Sequence, residues 1–318
     1  MASKEMKVPT IDFSKQELKP GSPQWDSTKA QVFQALQEYG CFEAIYDEVP
    51  KKTQEAMFGI SKEIFEFPLE TKMKNLSTKP LDGYKGQFPS MPLYESLSID
   101  DMLKPQNVDA FANIFWPDGN PHFLNELKSY SKPLVEFDEM VKRMVLESLG
   151  LKNYIDEFLD PNIFSFRFTH YKAAQGEEFE NKIGLSDHTD RGFLTIISQN
   201  QVNGLQVFKK NGELIDVNIA PNSFAVLAGD SFMAWTNGRV HAPVHRVTMA
   251  DRDSDRFSIS LFSVPKSGYT IEAPKELVGE EHPLLFKPYD IDGLYEYVAS
   301  KAGRTIGAAG AFKAYCGV

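Results

Sequence analysis

The sequence predicts an α+β fold in which helices come first and a β-sandwich or jelly roll follows. Before about residue 160, apolar residues recur at helical spacing, as in the stretch DSTKAQVFQALQEYG. After that point, apolar and polar residues alternate in short segments separated by turn residues. Seven or so short strands with little helix between them are typical of a sandwich or jelly roll. The chain shows no internal repeat, and one compact unit is expected.

Three helices are predicted in the first half of the chain. The first lies in DSTKAQVFQALQEYG, with Ser27 as its N-cap and Gly40 at its end. The second, KKTQEAMFGISKEIFEF, ends before Pro68, and the third runs from about Phe123 to Leu149. The segment KPLDGYKGQFPSMPLYESL between the second and third helices is predicted to be a long loop, and such loops are often functional lids.

The strands of the second half begin with IFSFRFTHY, whose alternation predicts a half-buried strand. GFLTIISQ and GLQVFKKNGELIDV follow, and Asn211-Gly212 in the latter predicts a two-residue hairpin. SFAVLAGDSFMAW, PVHRVTM and RFSISLFSV are predicted to continue the series, and the tail from Asp290 is predicted to be helical.

Composition and charge limit the class of partner. The chain has 318 residues, a net charge of −10 and a pI near 5.2. Nucleic acids and anionic membranes attract clusters of Lys and Arg, and no such run is present, so neither partner is expected. Two distant cysteines, Cys41 and Cys316, indicate a reducing compartment. Without a secretory signal or a membrane span, the protein is expected to be cytoplasmic, and nothing in the sequence requires more than a monomer.

Three residues form a candidate metal site. His188 and Asp190 in SDHTDRGFLTII stand directly before an apolar run, although such a pair alone is also typical of a solvated loop. His245 lies inside the predicted strand PVHRVTM, where a histidine is usually a hydrogen-bonded core residue. Together they supply two imidazoles and one carboxylate, which is the facial triad of non-haem Fe(II) oxygenases. That triad leaves three coordination positions open, as O₂ and a chelating cosubstrate require.

A second candidate site follows in DRFSISLF. Arg256 and Ser258 are spaced i, i+2 and therefore point to the same side of a strand. A guanidinium and a hydroxyl facing inward together can bind a carboxylate, whereas on an exposed sheet face they have no such role. Tyr171, at the end of IFSFRFTHY, offers a further hydroxyl for the same anion.

The motifs HTDRGFLT, GLQV, NGRVHAPVHRV and RFSISLF resemble the core of plant 2-oxoglutarate/Fe(II)-dependent dioxygenases, and VPTIDFS, EYGCFE and FPLETK resemble the N-terminal region of that family. LKPGSPQWDS, WPDGN, FMAWTNGRVHAPVHRV and EEHPLLF are most similar to the AOP-type branch, close to the deoxypodophyllotoxin synthases. The resemblance implies a double-stranded β-helix (jelly roll) core wrapped by helices from the N-terminal region and by a C-terminal helix.

The resemblance also implies a division of the chain and a role for each candidate residue. The division is an N-terminal region with the lid-like loop (1–120), a long packing helix (121–160), a jelly-roll catalytic core (161–270) and a C-terminal helical tail (271–318). His241 matches a non-ligand position of the family. The implied iron ligands are His188, Asp190 and His245, and the implied 2-oxoglutarate-binding residues are Arg256, Ser258 and Tyr171.

A substrate pocket is predicted from aromatic residues. Phe262 matches a position that stacks on aromatic substrates in flavonoid-acting relatives, and it is equally compatible with core packing. Tyr94 and Phe115 are predicted to wall the pocket, together with Phe88, Phe111 and Trp116. The alternative is that these side chains pack the helical layer onto the jelly roll.

The activity that the resemblance implies is oxidation of a small, ring-containing specialised metabolite by Fe(II), 2-oxoglutarate and O₂, with ascorbate as reductant. Succinate and CO₂ are released, and the outcome is hydroxylation, desaturation, ring closure or dealkylation. Three alternatives keep some of the same residues. They are a 2-oxoglutarate-independent non-haem iron oxidase, a Zn²⁺ hydrolase and a non-catalytic small-molecule binder on the same fold.

Overall fold

A computed structural model describes residues 7–14, 18–77, 79, 82–173, 183–249 and 253–318. Its helices are α1 (Pro23–Glu38), α2 (Lys51–Glu66), α3 (Leu69–Lys72), α4 (Pro105–Phe115), α5 (Pro121–Ser148), α6 (Ile155–Leu159), α7 (Asp230–Trp235), α8 (Ile291–Ala299), α9 (Lys301–Ile306) and α10 (Ala308–Cys316). Its strands are β1 (Thr10–Asp12), β2 (Cys41–Ile45), β3 (Tyr94–Ile99), β4 (Asn162–Tyr171), β5 (Ile183–His188), β6 (Leu194–Gln199), β7 (Leu205–Phe208), β8 (Leu214–Asp216), β9 (Ser223–Ala228), β10 (His245–Thr248), β11 (Arg256–Pro265), β12 (Thr270–Ile271) and β13 (Tyr289–Asp290). Two 3₁₀ turns lie at Lys152–Tyr154 and Lys275–Leu277.

Two sheets form the β core. The larger has the strand order β1-β2-β9-β6-β11-β4-β3, and the smaller has the order β5-β10-β7-β8. All their pairs are antiparallel except β1 with β2, and residues of both sheets line one internal cavity. The predicted α+β fold with a jelly-roll core is therefore confirmed. Strands β1, β2 and β3 come from the N-terminal region and extend the larger sheet at both ends.

The helices cover one face of the larger sheet. Helix α5 contacts both α1 and α2, and it buries the apolar stripe that predicted it. One hydrophobic cluster extends from Ile11 in β1 to Cys316 in α10, so the N-terminal helices, the larger sheet and the tail share a core, while strands of the smaller sheet contribute to a second cluster. The predicted helices of the first half are confirmed, and so is the helical tail.

The predicted start of the first helix is wrong. Helix α1 begins at Pro23, and the N-cap is Ser22, whose hydroxyl accepts a hydrogen bond from the backbone N–H of Trp25 at 3.1 Å. Ser27 lies one turn inside the helix. Proline favours the first helical position, because its fixed φ suits the helix and its missing N–H has no partner there. Gly40 ends the helix as predicted, with a φ of +73°.

Two predictions of element type are also wrong. Part of the predicted loop is the buried strand β3, which pairs with β4, and helix α4 follows it without having been predicted. Residues 80 and 81 of that loop lie outside the described residues. SFAVLAGDSFMAW is not one strand, because β9 ends at Ala228 and α7 begins at Asp230. Gly229 separates the two, and a Cβ there would lie 2.2 Å from the carbonyl oxygen of Gly192.

The hairpin between β7 and β8 forms, but its turn is longer than predicted. The N–H of Lys209 donates to the carbonyl of Glu213 at 2.8 Å, which leaves three residues in the connection. Gly212 has a φ of +83° and closes a turn that starts at Lys209. This is the three-residue hairpin loop in which only the last position needs a left-handed backbone.

Candidate metal centre and active site

The two histidines of the candidate triad lie opposite each other on neighbouring strands. His188 ends β5 and His245 begins β10, and they are Cα partners in the antiparallel pairing of these strands. Their ring centroids are 4.2 Å apart. Asp190 follows β5 by two residues and reaches back to both rings. The register of one strand pair therefore brings together residues that are far apart in sequence.

The three side chains present one ligand atom each to a common point. Asp190 Oδ1 lies 3.8 Å from His188 Nε2, and Asp190 Oδ2 lies 3.7 Å from His245 Nε2. The ligand atoms of all three residues lie within 4.8 Å of one another. Each Nδ1 faces a backbone carbonyl, that of Ser186 at 2.8 Å for His188 and that of Pro243 at 3.2 Å for His245. These contacts favour the proton on Nδ1 and leave each Nε2 with a lone pair for a metal ion.

The electrostatics of the triad suit metal binding. Burial, and then the neighbouring His245, lower the pKa of His188 to about 4. Burial opposes ionisation of Asp190, but the two imidazoles and the Thr195 hydroxyl outweigh it and hold its pKa below the ordinary value. Thr195 Oγ1 donates to Asp190 Oδ2 at 2.5 Å. A neutral imidazole and an ionised carboxylate are protonation states that bind a divalent ion.

The loop that carries Asp190 is held by a buried network that the sequence analysis missed. The backbone N–H of Asp230 donates to the carbonyl of Asp190 at 2.7 Å, and the carboxylate of Asp230 pairs with Arg191. Thr189 Oγ1 donates to the same carboxylate at 3.0 Å. Arg191 also donates to the carbonyl of Ala308, which joins the metal loop to the start of α10. The sequence gives no signal for this network, because Asp230 lies in the unpredicted helix α7.

Arg256 is a buried cation without a carboxylate partner among the described residues. Only 1% of it is exposed, and its Nε and Nη2 donate to the amide oxygen of Gln199 at 3.3 and 3.1 Å. Its guanidinium lies 5.0 Å from the centre of the Tyr171 ring, and its Nη1 has no hydrogen-bond partner in the described part of the chain. Burial lowers the pKa of Arg256, since desolvation opposes its charge. A carboxylate ligand would satisfy both the charge and the orphaned Nη1.

The structure brings the candidate anion-binding residues to the metal site. Ser258 lies two residues along β11 from Arg256, and Tyr171 is the Cα partner of Arg256 on β4. These three residues and the metal triad line one narrow cavity of about 50 Å³, which we call the small cavity. All six residues singled out for iron and 2-oxoglutarate thus lie around one space.

A larger cavity of about 310 Å³, which we call the large cavity, adjoins the metal triad on the side of the C-terminal helices. Of the predicted pocket residues, Phe262 and Tyr94 line it, and so does Phe88. Phe115 does not reach it. That side chain is 3% exposed, and its ring centroid lies 5.2 Å from that of Phe111. Phe115 therefore packs within the helical layer, which was the alternative to a role in the pocket.

Several residues of the large cavity were not predicted. Arg167 of β4 lines both cavities, although its strand was expected to have a solvent-facing polar side. Ser165 and Thr169, on the same side of β4, are also buried. The alternation in IFSFRFTHY is the one available signal, because it places the polar side chains on one side of the strand. It does not show whether that side faces the inside or the outside of a jelly roll. Lys85 comes from the lid-like segment and Tyr295 from α8.

Comparisons with known proteins agree with this geometry. Residues 163–265 match the model of the 2OG-Fe(II) oxygenase superfamily, and residues 8–118 match the model of the N-terminal region of non-haem dioxygenases in morphine synthesis. The chain is 42% identical to a probable 2-oxoglutarate-dependent dioxygenase, AOP1.2, of Arabidopsis thaliana, over 95% of this chain and 94% of that protein. The chain belongs to the 2-oxoglutarate-dependent dioxygenases. Its similarity to AOP-type members also confirms the branch that the motifs indicated.

Solved structures place this dioxygenase in the same fold. It superposes on a rice dioxygenase for auxin oxidation with a TM-score of 0.82 and 30% identity, covering 98% of this chain and all of that one. An Arabidopsis thaliana dioxygenase for auxin oxidation, solved with 2-oxoglutarate, gives a TM-score of 0.76 at 27% identity over 87% of this chain and 99% of that one.

As a member of this family, the dioxygenase is an oxidoreductase that uses Fe(II) and 2-oxoglutarate and acts on a small molecule. The 2-oxoglutarate-independent alternative is not favoured. Within the described ranges, no helix is long and apolar enough to cross a membrane.

Proposed function

We propose that this protein oxidises a small, ring-containing molecule at an Fe(II) ion held by His188, Asp190 and His245. In this proposal, Arg256 and Ser258 bind the distal carboxylate of 2-oxoglutarate and Tyr171 assists them. The observation that supports it most is the pairing of a convergent two-histidine, one-carboxylate site with a buried guanidinium that has no carboxylate partner within the described ranges. A Zn²⁺ hydrolase or a passive binder has no use for both features in one cavity.

The residues present fit the cofactors of the family. Two imidazoles and one carboxylate are the donor set of non-haem iron, and the orphaned Nη1 of Arg256 suits a carboxylate. When bound, Fe(II) and 2-oxoglutarate supply O₂-dependent oxidation of a substrate C–H bond coupled to formation of succinate and CO₂, with ascorbate keeping the iron reduced. Asp190 acts here as a metal ligand, and no general base is required of the chain.

The chain itself orients and encloses the reacting groups. The Nδ1 contacts of His188 and His245 fix both rings, and the hydroxyl of Thr195 fixes one oxygen of Asp190. Apolar side chains around the small cavity, among them Leu205 and Val247, exclude water from the site. This arrangement confines oxidation to a molecule seated in the adjoining large cavity.

The large cavity supports a substrate of modest size with an aromatic or otherwise apolar body. Its volume of about 310 Å³ lies at the lower end of the range for small-molecule sites. Phe88, Tyr94 and Phe262 supply aromatic walls. The reaction outcomes we propose are those of the family, namely hydroxylation, desaturation, ring closure or dealkylation.

We further propose that the protein acts as a cytoplasmic monomer without nucleic-acid or membrane partners. The acidic charge and the lack of a basic run support this proposal. The division into segments 1–120, 121–160, 161–270 and 271–318 is likewise a proposal, supported by family-model matches that fall within the first and third segments.

The test is an anaerobic titration of the metal-free protein, first with Fe(II) and then with 2-oxoglutarate. We expect weak visible charge-transfer absorption when the chelate forms, and its loss in His188→Ala. Iron binding without that absorption would contradict the roles of Arg256 and Ser258. Failure to bind iron at all would contradict the assignment of the metal ligands.

A further inference from the structure

Arg256 differs from the other buried Lys and Arg side chains of the described residues in the kind of partner that it has. Those side chains each pair with a buried carboxylate: Lys72 with Glu95, Lys142 with Asp138 and Arg191 with Asp230. The partner of Arg256 is the neutral amide of Gln199, which is itself 3% exposed. An amide oxygen accepts hydrogen bonds but carries no net charge, so it leaves the positive charge of the guanidinium uncompensated.

The Gln199 amide occupies one edge of the guanidinium. Its Oε1 accepts from Nε of Arg256 at 3.3 Å and from Nη2 at 3.1 Å. The guanidinium also lies over the Tyr171 ring, 5.0 Å from its centre. Nη1 has no hydrogen-bond partner in the described part of the chain, and Arg256 lines the small cavity whereas Gln199 does not. One edge and one face of the guanidinium are therefore held from outside the cavity, and Nη1 is left for a ligand.

Neighbouring residues fix the direction of the Gln199 amide. Its Nε2 donates to Oδ1 of the exposed Asn203 at 2.7 Å, so its oxygen faces Arg256. Asn200, the next residue after β6, holds the backbone on both sides of Arg256. Its Nδ2 donates to the carbonyl of the preceding residue at 3.0 Å, and its Oδ1 accepts from the N–H of the following residue at 2.9 Å. The end of β6 thus positions both the backbone and the side chain of Arg256.

We propose that Gln199 is a positioning residue for 2-oxoglutarate, which orients Arg256 toward the distal carboxylate and, being neutral, leaves the guanidinium charge for that carboxylate. This proposal rests on the proposed function, because it takes Arg256 as the residue that binds the cosubstrate. A carboxylate at position 199 would pair with the guanidinium and compete with the ligand. An apolar side chain there would leave Nε and Nη2 buried without an acceptor.

This role predicts opposite effects of one substitution on stability and on binding. In Gln199→Glu, the new carboxylate pairs with Arg256, so the protein without metal and cosubstrate should unfold at the wild-type temperature or above it. The exposed amide of Asn203 can rotate to donate to the new carboxylate. The same pairing should raise the Kd for 2-oxoglutarate about tenfold or more, because the ligand then meets a neutralised cation. If Gln199 served stability alone, binding would follow stability and the Kd would not rise.

The test measures the two quantities separately. Anaerobic titration of the Fe(II)-loaded protein with 2-oxoglutarate gives the Kd from the chelate absorption, and thermal unfolding of the metal-free protein gives the stability. Gln206→Glu is the matched control, because Gln206 also accepts from an arginine, Nε of Arg246 at 2.8 Å, and both residues lie outside the two cavity linings. Its Kd for 2-oxoglutarate should equal that of the wild type. An unchanged Kd in folded Gln199→Glu overturns the proposal, and so does an equal rise in Gln206→Glu.

A second variant decides if Gln199→Glu does not fold. Gln199→Met keeps the length of the side chain but removes the amide oxygen. We expect its Kd for 2-oxoglutarate to rise about tenfold, while its affinity for Fe(II) stays at the wild-type value because Gln199 does not line the cavity that holds the triad. Wild-type affinity for 2-oxoglutarate in folded Gln199→Met overturns the proposal. Failure of both variants to fold would assign Gln199 to stability alone and overturn it as well.

Arg256→Lys in the same titration separates this proposal from the proposed function. If that variant binds 2-oxoglutarate more weakly while the Gln199 variants do not, the role of Gln199 is wrong and the proposed function stands. If Arg256→Lys binds 2-oxoglutarate as well as the wild type does, the role of Arg256 in the proposed function itself fails.

Discussion

The small cavity beside the metal triad and the large cavity next to it are built in different ways. The residues of the small cavity come from strands of the jelly roll at fixed register, such as His188 opposite His245 and Tyr171 opposite Arg256. The large cavity gathers residues from the lid-like segment, from β4 and from the C-terminal helices. Spacing along the chain therefore predicts the small cavity well, whereas the large cavity depends on how remote segments pack.

The difference also separates two functions. The small cavity is lined by the candidate metal triad and by Arg256, Ser258 and Tyr171, so its polar atoms form a candidate cation site and a candidate anion site. The large cavity has a mixed wall in which Lys85 and Tyr295 come from elements outside the jelly-roll strands. We infer that the small cavity determines the reaction and that the large cavity determines the substrate. Substitutions in the small cavity should therefore change cofactor binding and turnover, and substitutions in the large cavity should change substrate binding.

Loss of a triad residue should have the largest effect. His188→Ala is expected to lower 2-oxoglutarate-dependent succinate formation by more than about 100-fold, because changes outside the ligands alone already cost roughly 10–100-fold. Succinate release measures the effect, and far-ultraviolet circular dichroism checks folding. His241→Ala is the matched control, since His241 lies close to His245 in sequence but outside both cavity linings. Full activity in folded His188→Ala would exclude this residue from the triad.

A smaller and more selective effect is expected from Arg256→Lys. Lysine keeps the charge but has no planar fork for a carboxylate, so the KM for 2-oxoglutarate should rise about tenfold or more. The KM is measured from initial rates of succinate formation. Arg246→Lys is the control, because Arg246 donates to Gln206 on the smaller sheet and lines neither cavity. An equal rise in both variants would contradict a specific role for Arg256.

Particular residues show how far the sequence alone can be taken. The sequence analysis pairs Arg256 with Ser258 because i, i+2 spacing on a strand fixes the side to which a residue points. It groups His188, Asp190 and His245 because two imidazoles and one carboxylate form the donor set of non-haem iron. Phe115 was assigned to the pocket because it is aromatic, yet aromatic character does not tell which layer a helix faces.

The missed residues have a physical reason in common. Arg167 looked solvent-facing because a two-residue period cannot distinguish the inside of a jelly roll from its outside. The strand β3 was missed because both of its faces are buried, so its sequence YESLSI lacks a clear boundary from the loop before it. Asp82 reaches the same cavity from the lid-like segment, where it contacts Ser165 and Arg167 of β4, and Tyr295 reaches it from α8.

Weakening the support of the metal triad should have an intermediate effect. Thr195→Val keeps the shape of the side chain but removes the hydroxyl that donates to Asp190 Oδ2 at 2.5 Å. We expect the affinity for Fe(II) to fall about tenfold, as for other partners of metal ligands. Anaerobic metal titration measures it, and Thr248→Val on the outer side of β10 is the control. Unchanged affinity would show that Asp190 is oriented by its backbone contacts alone.

The smallest effect should come from behind the large cavity, and it depends on pH. Burial, and then Asp82, raise the pKa of Asp100 to about 6 from an ordinary 3.8. A carboxyl whose pKa is raised on folding stabilises the protein at pH values below the pKa that it has in the unfolded state. That stability is lost as the pH rises through about 6. Asp100→Asn cannot ionise, yet it can still accept the hydrogen bond from Ser77.

Asp100→Asn should therefore match the wild type near pH 4 and be more stable at pH 8. After a discount for solvent at a partly exposed carboxyl, the gain is about 1 kcal/mol, or roughly 2 °C in Tm. Thermal unfolding at both pH values measures it, and Asp109→Asn controls for the loss of one exposed carboxylate on α4. A variant that is less stable than the wild type at pH 8 would mean that Lys79 dominates over Asp82. Asp82 and Asp100 would then store no net repulsion behind the large cavity.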